Sequence, residues 1–325
     1  MAHTPSEVTG ERPVAVIGTG LVGSGWAIVF ARAGLAVRLY DAQQGSTASA
    51  LDNIEKQLHE LQSFGLVDDV RSILPRLSLA ASLAEAVRGA AYIQESVAER
   101  VDVKRALFEE LDKLCDAATV VGSSTSGIPS SRFTEGLAIA SRVLVVHPVN
   151  PPYLVPVVEL VPSPATSPEA IRFVDELMHS LGQSVVHVRK EIEGFVLNRL
   201  QGVLLREAMA LVEDGIASCE DIDKTMRDGL GWRWSFMGPF ETIDLNAPGG
   251  VRDYVTRLGA LYKSIDESRT HSQSWTADLI GQVEDQRREL LPQDQLAERR
   301  AWRDRRLMAI AARLKRESEA DEKSR

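Results

Sequence analysis

Residues 14–34 read VAVIGTGLVGSGWAIVFARAG. The run VAVIG (14–18) reads as a buried strand, covered on both faces. Gly18, Gly20 and Gly23 follow with G-x-G-x-x-G spacing, and SGWAIVFARAG then reads as a helix ended by Gly34. That spacing alone is weak; directly after a strand and at the start of a helix it carries a mechanism. The first glycine makes the tight turn, the second lets backbone approach a pyrophosphate, and the third lets helix and strand pack closely. Free N–H groups and partial positive charge at the helix start favour phosphates. Gly18, Gly20, Leu21, Val22 and Gly23 are therefore expected to bind a dinucleotide.

Outward from this unit, AVRLYD (36–41) is a second strand ending in Asp41. A carboxylate there accepts hydrogen bonds from a ribose diol and repels a 2′-phosphate, which predicts NAD rather than NADP. A solvated strand-end acid is the plainer alternative. Further strands are expected at 91–97, 119–124, 142–147, 155–161 and 184–190. Helices are expected at 46–64, 100–115 (Val103, Leu107, Leu111 and Leu114 inward) and 168–181. The alternation predicts an α/β fold, a Rossmann-type doubly wound and mostly parallel sheet. Past about residue 190 only helical spacing persists, beginning with Val196, Leu200, Val203, Leu204, Leu211 and Val212. The chain is thus expected to divide into a dinucleotide-binding domain, 1–190, and an all-α domain, 191–325. The Arg/Lys/Glu-rich tail from about 296 reads as an amphipathic helix with Trp302, Leu307, Ile310 and Leu314 on its apolar stripe.

Composition narrows the function. The chain of 325 residues is 44% hydrophobic, ordinary for globular proteins, and its length suits two domains. A formal net charge of −9 argues against non-specific nucleic-acid binding. No run of 18 apolar residues exists and the polar N-terminus has no apolar signal core, so a cytoplasmic protein with no membrane partner is expected. Two cysteines, Cys115 and Cys219, make neither a disulfide framework nor a structural metal site, and no metal is expected.

His147 ends the strand RVLVVH, and a proline-rich loop leads to a strand carrying Glu159. Strand carboxyl ends face the ligand crevice in open α/β sheets. An imidazole accepts a proton near neutral pH, and a carboxylate on its other nitrogen fixes the tautomer. A satisfied strand-end histidine and a salt-bridged glutamate form the structural alternative. SSTSG (123–127) brings hydroxyls to the same edge, and Asn198 in GFVLNRL lies off the apolar stripe of its helix, free to face a cleft. Proton acceptor, orienting acid, hydroxyl and amide together suit alcohol–ketone interconversion with hydride going to a nicotinamide.

The segments VIGTGLVGSGWA, LYD, IQESVAERVDVK, SSTSG, HPVNPPYLVPVVELVP, GFVLNRLQ, GLGWRWSFMGPFETIDLNA and RRAWRDRRLM resemble the 3-hydroxyacyl-CoA dehydrogenase superfamily, in particular its lambda-crystallin / L-gulonate 3-dehydrogenase branch. The resemblance covers nearly the whole chain. It implies His147 as general base, Glu159 as its partner, Ser126 on the substrate hydroxyl, Asn198 on the substrate oxygen and Asn150 lining the site. It also implies Glu99 and Lys104 as contacts of the nicotinamide ribose, and a homodimer formed mostly by the helical domain. STS stands where the acyl-CoA enzymes usually carry NTS, and HPVNP where they carry HFFNP, which puts a CoA thioester substrate in question.

GWRWSFMGPFE (231–241) bears on the substrate, because the acyl-CoA enzymes typically have no arginine here. Arg233 is expected to pair with a free carboxylate, for which guanidinium is suited; a structural salt bridge is the alternative. Trp232, Trp234 and Phe236 read either as core aromatics or as a cage for a quaternary ammonium. A free 3-hydroxy acid is therefore expected, L-gulonate first and L-carnitine next. An acyl-CoA dehydrogenase and a non-catalytic NAD-binding protein of crystallin type stay open as alternatives.

Overall fold

The computed structural model describes residues 3–43, 45–269 and 275–324. The chain falls into two compact units: residues 1–199 together with 300–325, and residues 200–299.

The first unit is built on one eight-stranded sheet. Its strands are β1 (Val14–Ile17), β2 (Val37–Tyr40), β3 (Leu77–Leu79), β4 (Tyr92–Glu95), β5 (Val120–Ser123), β6 (Val143–Pro148), β7 (Val157–Pro162) and β8 (Ser184–His187). Their order is β3-β2-β1-β4-β5-β6-β7-β8. All neighbours pair in parallel except β6 and β7, which form an antiparallel pair. β3 has no counterpart in the expected strands.

Alternation in β1 shows why the sheet is covered twice. Val14 and Val16 face a core holding Trp26 and Phe30 of helix Leu21–Arg32, while Ala15 and Ile17 face a second core around Phe108, Leu111 and Phe133. Helix Val101–Leu114 buries Leu111 of the expected apolar stripe together with Lys104 and Phe108, which were not expected inward; Val103 and Leu107 are half-buried and Leu114 is exposed. A lysine occupies the inward face because a buried acid of the sheet meets it there, as described below.

The tail departs from the expected grouping with the helical domain. It belongs to helix Leu296–Ser324, and residues 300–325 group with the first unit. Met308 and Ala312 form its buried seam, with Met308 in the same core as Trp26. Trp302, Ile310 and Leu314 are exposed. Lys315 Nζ also donates to the Gly65 carbonyl at 3.2 Å.

The division between units falls within helix Leu197–Glu213. Helices Cys219–Lys224, Gly231–Trp234, Pro239–Leu245, Gly250–Glu267 and Ala277–Leu290 follow, with a π-helical turn over Thr225–Leu230. The buried cluster of the second unit is small: Val212, Cys219 and Leu279. Arg269 ties this unit together through Glu207 (3.2 Å) and Asp214 (2.6 Å). Among the described residues no helix is long and apolar enough to cross a membrane.

Candidate active site

The glycine turn joins β1 to helix Leu21–Arg32. Gly18 has φ +89°, and a Cβ on it would lie 2.5 Å from the Ser96 carbonyl oxygen. On Gly23 a Cβ would lie 1.9 Å from the Gly18 carbonyl oxygen. A Cβ on Gly20 would meet nothing within 4 Å, so the space in front of this residue is open. Gly20 is the N-cap and no side chain caps the helix, which leaves its first N–H groups for an anion. Leu21 is largely exposed at the mouth of this turn and Val22 is half-buried.

Asp41, just beyond β2, closes the other side. Its Oδ2 accepts the Thr19 N–H (2.8 Å) and hydroxyl (3.1 Å), and its Oδ1 accepts the Gln43 N–H (2.9 Å). Asp41 thereby fixes the glycine turn, and a carboxylate retains further lone pairs for a ribose diol. An open uncapped helix start beside such an acid fits NAD.

At the end of β4 the structure adds a group that sequence reasoning missed. Glu95 is fully buried, and the buried Lys104 ammonium reaches its two oxygens at 2.8 and 3.0 Å. Ser123 also donates to Glu95 Oε2, and the Val97 N–H to its Oε1 at 2.8 Å. Lys104 stands 3.7 Å from Glu99. Its ammonium is thus occupied beneath Glu99. The available signal was an acid ending one strand followed by a lysine on the next helix.

Glu99 Oε1 gathers the SSTSG turn. It accepts from the Thr125 hydroxyl (2.6 Å), the Ser126 N–H (2.8 Å) and hydroxyl (3.2 Å), and the Gly127 N–H (3.3 Å). Burial pushes the Glu99 carboxyl up, but these donors and Lys104 outweigh it and hold the group below the ordinary carboxylate value. Ser126 is exposed, and its carbonyl accepts from Asn198 Nδ2 at 2.6 Å. Ser126, Glu99 and Asn198 are therefore brought together. Asn150 is exposed just past β6.

His147 and Glu159 are directly opposed in the β6–β7 register. Opposed residues share a face of an antiparallel pair, and here both side chains are buried, with Nδ1 2.7 Å from Oε2. Glu159 Oε1 accepts the N–H groups of Val196 (2.8 Å) and Leu197 (2.9 Å). Burial raises the Glu159 carboxyl, and the hydrogen bonds from His147, Leu197 and Val196 more than reverse this, leaving it below its ordinary value. The ionised acid places the imidazole proton on Nδ1 and leaves Nε2 as acceptor.

Phe195, also unforeseen, shapes this turn. It has φ +49°, a rare backbone for a non-glycine residue, and its buried ring lies 5.6 Å from the His147 ring between centroids. Arg233 sits on helix Gly231–Trp234 of the second unit, half-buried. Trp232 and Phe236 are 73% and 71% exposed, so they are not core residues of this chain.

The family model for the 3-hydroxyacyl-CoA dehydrogenase NAD-binding domain matches residues 13–192, and that for its C-terminal domain matches residues 194–286. Lambda-crystallin of Oryctolagus cuniculus is 43% identical over 309 residues, 94% of this chain and 96% of the relative. An L-carnitine dehydrogenase of Oceanobacillus iheyensis is 39% identical over 78% of this chain and 82% of its own. Among solved structures, a 5-formyl-3-hydroxy-2-methylpyridine 4-carboxylic acid 5-dehydrogenase, an NAD+-dependent dismutase, superposes with a TM-score of 0.79 at 26% identity, covering 94% of this chain and 98% of that one. With both family domains matched in sequence and a glycine turn shaped for NAD, the chain belongs to the 3-hydroxyacyl-CoA dehydrogenase family.

Proposed function

We propose that this oxidoreductase oxidises the hydroxyl of a free 3-hydroxy acid to the 3-keto acid, in the manner of an L-gulonate 3-dehydrogenase, in the cytoplasm. The buried His147–Glu159 pair at the end of β6 carries the reading. NAD, when bound, supplies the hydride acceptor. Gly18, Gly20, Leu21, Val22 and Gly23 hold its pyrophosphate and Asp41 its ribose. Ser126 and Asn198 orient the substrate hydroxyl and Asn150 lines the site. His147 Nε2 takes the hydroxyl proton as the carbinol C–H electron pair leaves as hydride, and Glu159 stabilises the resulting imidazolium. Glu99 is proposed as the nicotinamide-ribose contact the resemblance implies, and it also sets the turn that presents Ser126; the Lys104 ammonium, buried against Glu95, supports Glu99 rather than touching the cofactor itself. The similarity to L-carnitine dehydrogenases favours carnitine as the second candidate substrate.

The chain is proposed to act as a homodimer through its second unit. Leu200, Val203 and Leu204, three of the five residues of the expected apolar stripe on helix Leu197–Glu213, are 60%, 53% and 41% exposed, and Phe240 is 79% exposed. Apolar faces of this size mark interaction surfaces.

NADH formation with L-gulonate, L-carnitine, L-3-hydroxybutyrate and L-3-hydroxybutyryl-CoA tests the reading. A free acid turned over best supports it; turnover of the CoA ester alone overturns it. Sedimentation at micromolar concentration tests the dimer, and a monomer would overturn that part.

A further inference from the structure

Ser126 and Asn198 line a cavity of about 590 Å³ formed within the first unit. That size is ordinary for a small-molecule site. Its charged lining residues are Glu99, Arg132 and Glu193. Arg132 supplies the one basic side chain of this lining.

The backbone carrying Arg132 is well anchored. Arg132 lies on the single helical turn Ser131–Thr134. The next residue, Phe133, is fully buried with its ring 4.9 Å from that of Phe108. Before it, Glu191 Oε1 accepts the Ser131 N–H at 3.1 Å and the Ser130 hydroxyl at 3.2 Å. The guanidinium itself is exposed, and among the described residues it makes no ion pair or hydrogen bond. Glu99, which shares the cavity, is already committed to the SSTSG turn and to Lys104. Glu193 lines the same wall without approaching Arg132 to ion-pair distance.

A fixed backbone thus presents five unused N–H donors beside the hydroxyl and amide proposed to orient the substrate. We propose that Arg132 recognises the substrate's free carboxylate and so selects hydroxy acids over thioesters. This rests on the free-acid reading above and assigns the carboxylate to a residue of the first unit. Guanidinium meets a carboxylate through two parallel hydrogen bonds; a thioester carbonyl offers neither the charge nor the second oxygen.

The test compares L-gulonate with its uncharged primary amide, using the full-length enzyme and saturating NAD. Wild type prefers the acid. Arg132→Ala raises KM for L-gulonate about 10- to 100-fold, the range for losing a hydrogen-bonded charge, and leaves the amide within about twofold. Arg132→Lys restores part of the loss. NADH affinity and melting temperature, read in parallel, stay at wild-type values. An equal loss on acid and amide, or no change on either, overturns the assignment. So does loss of the acid preference in Arg233→Ala but not in Arg132→Ala. If wild type oxidises only 3-hydroxybutyryl-CoA, the free-acid reading falls and this inference with it. If wild type oxidises L-gulonate and Arg132→Ala is silent, this inference falls alone.

Discussion

Replacing Glu159 by glutamine tests the catalytic pair with little change of shape. Glu159 Oε1 accepts two backbone N–H groups, from Val196 and Leu197, and Oε2 faces His147 Nδ1. A glutamine has one carbonyl oxygen to offer. Were its NH2 turned toward Val196 and Leu197, three donor groups would converge without an acceptor, so the oxygen stays on the backbone and the NH2 faces Nδ1. Nδ1 must then accept, which moves the imidazole proton to Nε2 and removes the site's proton acceptor. A positioned base contributes about 10²–10⁴-fold, and a wrong tautomer alone can cost about 10⁴. We expect Glu159→Gln to lower kcat about 10³–10⁴-fold, roughly 4–5.5 kcal/mol of barrier. The melting temperature should hold, because both backbone donors keep their acceptor. Glu159→Ala should instead orphan them and lose about 2 kcal/mol of stability, about 1 kcal/mol for each part-buried donor. Steady-state NADH formation gives kcat, and NADH fluorescence titration shows that the cofactor cradle, which does not involve Glu159, still binds. His147→Gln combined with Glu159→Gln should be no worse than His147→Gln alone, since the two act as a unit. A Glu159→Gln enzyme within tenfold of wild-type kcat, or a double variant with additive losses, would refute the tautomer argument.

Three further outcomes follow from packing and charge. Gly20→Ala should fold normally, since its Cβ meets open space, yet weaken NADH binding about 10- to 100-fold by intruding on the pyrophosphate; Gly23→Ala, with a Cβ 1.9 Å from the Gly18 carbonyl oxygen, should destabilise the fold by about 1–3 kcal/mol or more, and equal melting temperatures for the two variants would contradict this. Glu99 and Glu159 titrate below the ordinary carboxylate value in the folded chain, so their stabilisation is complete above about pH 4.3 and is lost as pH falls through their lowered folded values; the urea midpoint of wild type should therefore fall more steeply between about pH 5 and pH 3 than that of Glu99→Gln, and parallel profiles would refute the linkage. Met308→Ala should cost about 2–5 kcal/mol in urea unfolding because Met308 is 1% exposed within the first unit's core, whereas a loss under about 1 kcal/mol would show that the tail helix does not seal that core.

How much of this was legible in the sequence follows from the range of the interactions. The cradle was legible because its parts are local: a buried strand, three glycines at fixed offsets, and an acid at the end of the next strand. His147 and Glu159 were legible as a strand end and a following strand. The resemblance pointed to Lys104, but its burial on Glu95 was not legible, because helical periodicity points to Val103 and Leu107, and only β4 bringing Glu95 to the helix makes a buried ammonium stable. β3 escaped because it has three residues and buries only Leu77. The tail misled for a related reason. Of its expected stripe only Leu307 packs against the core, half-buried, while Trp302, Ile310 and Leu314 stay exposed and the core accepts Met308 and the small Ala312, a choice set by the surface it packs on.

The reversal of β7 links fold to chemistry. In a sheet parallel throughout, the strand after β6 would enter from the opposite edge, with its carboxyl end beside that of β6. Here residues 149–156 turn the chain back, so the start of β7 lies against the end of β6 and the register sets Glu159 directly across from His147. One face of the antiparallel pair thus gains an acid and a base without a crossover helix between them. The second oxygen of Glu159 then takes two N–H groups presented by a turn whose Phe195 adopts φ +49°. Strain at one residue is tolerated where several contacts fix it, and here two hydrogen bonds and a buried ring against the imidazole do so. The same glutamate therefore holds the base from one side and the start of helix Leu197–Glu213, with Asn198 in its first turn, from the other. Proton acceptor and amide donor are set by a single carboxylate, which is why the shape-preserving change at Glu159 discriminates chemistry from folding better than any change at His147.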